Sequence, residues 1–176
     1  MRVTKQQAAL NRQRIVDSAI RLFGERGVDS VGVAEVMADA GFTHGGFYNH
    51  FTSKEDLVLQ ACSTSFARSV ESLRQHGAPD DHDDIGECLS AAMLSESSKA
   101  SRLASVYADG LSQFLDVLTE QYGNRERAAT ELARFVGARV ISRAVESADR
   151  SLADEFADVL HPPADLQERP RLQASS

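Results

Sequence analysis

The chain has 176 residues, enough for one ordinary domain or a small module joined to a larger one. Its 42% hydrophobic and 26% charged content is that of a soluble globular protein, and no apolar run approaches the roughly 20 residues needed to cross a bilayer. The net charge of −7 excludes a generally basic surface, yet the charge is uneven: residues 1–26 hold Arg2, Lys5, Arg12, Arg14, Arg21 and Arg26 against Asp17 and Glu25 only, and acid predominates behind them. The N-terminus has no apolar h-region, and Cys62 and Cys88 form neither a disulfide framework nor a metal-type cluster. A cytoplasmic protein without a membrane partner is the expectation.

Ile15, Ala19, Leu22 and Phe23 follow the helical period and predict a first helix over about 8–26, stopped by Gly27. Gly32 is the expected N-cap of a second helix over 33–40, with Val33, Val36, Met37 and Ala40 facing inward. Gly41 ends it in the left-handed conformation, and Thr43 caps a third helix over about 44–50. Ser53 caps a fourth, with Asp56 as a short capping-box acid, running through Leu57, Ala61, Phe66, Val70 and Leu73 to about 75. Residues 76–84, with Gly77, Pro79 and a run of aspartates, read as a loop. Helices are then expected over about 85–95, 98–121 (bent near Gly110), 125–147 and 151–160. His161-Pro162-Pro163 stops the last, and 162–176 reads as a frayed tail. The expected fold is all-α, with about nine helices and no strand.

The most specific segment runs from Gly41 to Leu57. Phe47 and Phe51, four apart, should point inward with Phe42, Leu22 and Phe23. That leaves Gly45 and Asn49 outward, flanked by His44, Gly46 and Tyr48. A glycine costs about 1 kcal/mol inside a helix, so two adjacent ones in so short a helix need a reason, and close approach of backbone to a base edge is one. Asn49 can pair bidentately with adenine, and His44 can donate to guanine or phosphate. Tyr48, His50 and Lys54 suit phosphate oxygens, which fix register without specifying sequence. A tight turn presenting a short helix is the geometry that enters the major groove, although a plain helical hairpin with a Gly-rich turn fits the periodicity as well.

Residues 24–57 resemble the N-terminal DNA-binding domain of TetR/AcrR-family transcriptional regulators. The resemblance rests on Ile15-Val16-Asp17-Ser18-Ala19 and Leu22-Phe23, on Gly27, Val36 and Gly41, and above all on Phe47-Tyr48-Asn49-His50-Phe51 and Ser53-Lys54-Glu55-Asp56-Leu57. It implies a three-helix domain over 8–68 with its helix-turn-helix at about 31–50, in which Val33, Thr43, His44, Gly45, Gly46, Tyr48, Asn49, His50 and Lys54 meet a palindromic double-stranded operator. Val31 and Gly32 depart from the pattern, which usually has threonine or serine there on a phosphate; a backbone N–H is the substitute available.

The resemblance extends weakly to Gly86-Glu87-Cys88-Leu89 and to residues 135–145. It implies that 69–161 form a helical effector-binding and homodimerisation domain. The residues support a partner surface independently: Leu132, Phe135, Val136, Val140, Ile141, Ala144 and Val145 make one helix apolar over a broad surface, and Leu152, Phe156 and Leu160 continue it. A pocket for an unidentified small molecule is expected among Phe66, Val70, Met93, Leu94, Leu103, Val106, Tyr107, Leu111 and Phe114, a stripe that also suits plain core. No enzyme motif, cofactor loop or metal-ligand spacing is present; His76, His82 and their aspartates read as solvated loop, and Cys88 as an inert thiol. The expected function is a ligand-released repressor. An effector-independent DNA binder and a helical interaction module are the alternatives.

Overall fold

Thr4 starts the first helix earlier than the apolar period suggested. Its Oγ1 accepts the Gln7 N–H at 3.1 Å, so α1 spans Lys5–Arg26. The chain is seen here as a computed structural model that describes residues 4–76 and 101–159. After α1 come α2 (Val33–Asp39), a 3₁₀ helix (His44–Asn49), α3 (Lys54–His76), α4 (Ser101–Tyr122), α5 (Arg125–Val145) and α6 (Arg150–Asp158). There is no strand among the described residues, and none of their helices is long and apolar enough to cross a membrane. The helix expected near 85–95, the loop before it and the tail lie outside the described residues.

The starts of α5 and α6 follow the same capping chemistry as α1. Asn124 accepts from the Arg127 N–H at 2.9 Å and Asp149 from the Leu152 N–H at 3.0 Å, supplying acceptors to first-turn donors that have no partner inside the helix. At α3, Ser53 Oγ accepts the Asp56 N–H at 3.1 Å as expected. The return bond differs by one residue: Asp56 Oδ2 takes the N–H and hydroxyl of Thr52 instead of the Ser53 N–H. An aspartate is one methylene shorter than the usual glutamate, and Thr52 is the donor it meets.

Packing runs in chain order. α1 lies on α2 and α3, α3 on α4, α4 on α5, and α5 on α6. One continuous core extends from Ile15, Phe23 and Met37 at the front, through Leu57, Phe66 and Leu73, to Phe114, Leu118, Leu132 and Phe135 at the rear. α3 crosses both halves and is the shared element. At Gly110 the Phe66 side chain of α3 lies against the backbone of α4. A Cβ there would fall 2.3–2.4 Å from ring carbons of Phe66, so this glycine makes room for a ring.

Candidate nucleic-acid interface

The α2-to-3₁₀ turn is built by Gly41. Its φ of +80° is the left-handed conformation expected, its N–H reaches Ala38 O at 3.0 Å, and the Phe42 N–H reaches Met37 O at 2.7 Å. The turn projects the short helix away from the core while Phe47 and Phe51 anchor it. Their rings stack at 5.5 Å, both buried.

That helix is 3₁₀ and not α, which corrects the expected geometry. The Gly46 N–H bonds to Thr43 O at 3.0 Å and the His50 N–H to Phe47 O at 2.8 Å, both three residues back. Two glycines in six residues leave too little helical preference to hold a full α turn. Thr43 therefore caps through its carbonyl; its side chain makes no cap bond. Side chains three apart eclipse in a 3₁₀ helix, so Gly45 aligns with Tyr48 and Gly46 with Asn49, in place of the Gly45–Asn49 pairing a 3.6-residue period suggests.

Thr43, His44, Gly45, Tyr48 and Asn49 are exposed, Tyr48 by 69%. Gly46 is half-buried, and a Cβ on it would touch Met37 Cε at 3.6 Å. A Cβ on Gly45 would meet nothing within 4 Å. Neither glycine has a positive φ. Nothing among the described residues therefore requires glycine at 45.

Other members of the expected set have internal partners. His50 is half-buried beside Phe42, with ring centroids 6.4 Å apart. Val33 is half-buried against the core. Lys54 Nζ donates to Val28 O at 2.6 Å, bracing the α1–α2 connection. Gly32 caps α2 without a side-chain bond, in open space.

The basic front arm also differs from a phosphate-binding strip. Arg12 donates to His50 O at the end of the 3₁₀ helix and lies over the Phe51 ring at 4.1 Å. Arg14 donates to Ala40 O at 2.9 Å and lies over Phe42 at 5.0 Å. Each places a cation on the carbonyl end of a short helix, where the helix dipole is negative. Arg21 pairs with Glu25 and Asp39, and Arg26 with Glu35. Hydrogen bonds from Ser18 and then Arg21 hold the Asp39 carboxyl below its ordinary range. Charge counting found these arginines but could not find their roles, because the carbonyls they bind are distant in sequence.

At the rear, the expected pocket residues Phe66, Val70, Leu103, Tyr107 and Phe114 are buried, and Val106 and Leu111 pack against them. Phe66 and Tyr107 meet edge to face at 5.2 Å. Here the stripe is core; Met93 and Leu94 lie outside the described residues, as does Cys88. Of the expected partner surface, Leu132 and Phe135 are buried within the chain and so support the face without forming it. Val136, Val140, Val145 and Phe156 are half-buried, and Ala144 is exposed. Ile141, Leu152 and Val159 are exposed by 39%, 37% and 41%; Leu160 lies outside the described residues.

Residues 15–61 match the model for bacterial regulatory proteins of the tetR family. The chain is 48% identical over 59 residues to the HTH-type transcriptional regulator AcrR of Shigella flexneri, covering 34% of this chain and 27% of that one. It is 33% identical over 94 residues to the HTH-type transcriptional regulator TtgR of Pseudomonas putida, covering 53% and 44%. The chain thus spans less than half the length of these relatives. Over 85% of this chain and 92% of the other, its fold matches the fatty acid degradation regulator FadR of Bacillus halodurans, with a TM-score of 0.55 at 15% identity. FadR of Bacillus subtilis, solved in complex with stearoyl-CoA, gives 0.53 at 16%, over 85% and 95%. These relatives are all named as regulators. The aromatic-anchored short helix, its left-handed glycine turn and the sequence match together mark residues 15–61 as a DNA-binding-type domain similar to that of the tetR family of bacterial regulatory proteins.

Proposed function

We propose that the protein is a homodimeric DNA-binding transcription regulator, a repressor whose hold on its operator is released by a small molecule acting on the rear helices. The observation that carries the DNA reading is the bare outer surface of the 3₁₀ helix. Gly45 has open space around it, and Tyr48 and Asn49 stand beside it in solvent. Asn49 suits adenine, and the Tyr48 hydroxyl a phosphate. Two such helices must lie about 34–36 Å apart, or a multiple of that, to enter successive major grooves. The exposed Ile141, Ala144 and Leu152 are the surface through which two chains would pair.

α3 begins beside the reading helix and runs into the rear core, so it is the natural lever. Phe66 already touches Gly110, so a ligand entering between α3 and α4 would have to part them and swing the front module. The Bacillus subtilis neighbour was solved with stearoyl-CoA, which supports ligand uptake by this kind of helical fold without identifying the ligand here. The DNA reading is tested with Tyr48→Ala and Asn49→Ala in a gel shift on duplexes the wild-type protein selects from a random library. Weakened binding by folded variants is expected; full affinity in both rejects the reading. Lys54→Ala is a poorer test, because Lys54 also braces Val28.

A further inference from the structure

The end of α1 and the residues after it form a corner rich in carbonyl groups that helical bonding leaves over. Phe23 O takes the Gly27 N–H at 2.9 Å. Two neighbouring carbonyls go to cations from elsewhere in the chain: Arg143 Nη2 donates to Gly24 O at 3.1 Å, and Lys54 Nζ donates to Val28 O at 2.6 Å. Both cations oppose the negative end of the α1 dipole.

These two residues come from different helices, α3 and α5. Lys54 opens α3, the lever. Arg143 lies in the last turns of α5, flanked by the exposed Ile141 and Ala144. A single helix linking two bodies fixes their separation but resists rotation about its own axis only through side contacts. Arg102 and Glu55 offer one such contact at 3.8 Å, but both are well exposed and such pairs hold little. The Arg143 bond is charge-assisted and directional, and it joins the rear of the chain to a backbone atom of α1.

We propose that Arg143 is a positioning residue, tying the partner-facing end of α5 to the Gly24–Val28 corner so that pairing of two chains sets the separation of their reading helices. This rests on the dimeric DNA-binding reading above. The same element then carries both the subunit contact and the angle of the reader.

The test uses the full chain and three duplexes: a palindrome selected by the wild-type protein, its single half-site, and the palindrome with one base pair added to its spacer. Binding is titrated by fluorescence anisotropy for wild type, Arg143→Ala and Arg143→Lys, and sedimentation reports the dimer. We expect Arg143→Ala to bind the selected palindrome about tenfold more weakly, the loss of one charged hydrogen bond, with half-site affinity unchanged and spacer preference erased. Arg143→Lys should recover most of that preference, since an ammonium still serves a carbonyl. Should Arg143→Ala fail to fold, Arg143→Gln, too short to reach Gly24, takes its place. An uncharged variant that keeps the wild-type spacer preference overturns the inference, and so does equal loss on the half-site. A wild-type protein that selects no duplex, or runs as a monomer with DNA, sinks the dimeric reading instead.

Discussion

Gly45→Ala separates stability from binding in opposite directions. In the free chain the added methyl meets nothing within 4 Å, and the backbone there has no positive φ to strain. Alanine also narrows the unfolded ensemble, so the variant should be more stable by about 0.4–1 kcal/mol. For a chain of this size that raises Tm by about 1–4 °C. Against DNA the same methyl stands on the surface meant to lie on base edges, aligned with Tyr48 in the 3₁₀ geometry. Pushing the helix out by a carbon layer should weaken binding at least about tenfold, or ~1.4 kcal/mol. Thermal melts followed by circular dichroism, with anisotropy titrations on a selected duplex, measure both. A higher Tm with unchanged affinity would refute the reasoning, since the bare glycine would then have no use in close approach.

Gly110→Ala should lower stability by about 1–3 kcal/mol in a chemical melt, because its Cβ overlaps the Phe66 ring, and Phe66→Leu in the same chain should recover part of the loss. Arg12→Ala should cost about 1–3 kcal/mol of stability through the freed His50 carbonyl while leaving the salt slope of DNA binding unchanged; a slope lowered by about one would show that Arg12 contacts phosphate instead. The Thr52 N–H, bonded to the Asp56 carboxylate, holds its pKa below the ordinary 3.8. A lowered carboxylate pKa adds stability above the unfolded value and loses it as pH falls through the folded one, so acid unfolding below about pH 4 should be shallower in Asp56→Asn. An identical acid limb in the variant would exclude that contribution.

The helices and their order were legible because each has a local cause. The apolar period around Ile15 to Phe23, the side-chain cap at Ser53 and the left-handed stop at Gly41 all act within a few residues. The segment Phe47-Tyr48-Asn49-His50-Phe51 was legible for the same reason, since inward rings and outward polar groups alternate within two turns. The pitch of that helix was not. The balance between a 3₁₀ and an α turn depends on how Phe47 and Phe51 seat against the core, and composition leaves both open. The split of the rear stripe into buried Leu132 and Phe135 and exposed Ile141 and Leu152 was equally hidden, because hydrophobicity alone does not say which neighbour covers a residue.

The linear order of residues was enough to establish helices throughout the described residues, with a short aromatic-anchored helix near the front, since caps, periods and turn glycines operate over one or two turns. The employment of the charges came from folding. Arg12, Arg14, Lys54 and Arg143 look alike as cations, yet each ends on a different carbonyl: His50, Ala40, Val28 and Gly24. Those partners lie 26 to 119 positions away. A long flexible side chain takes whichever unpaired acceptor the packed backbone brings within reach, and that acceptor exists only once the helices have met.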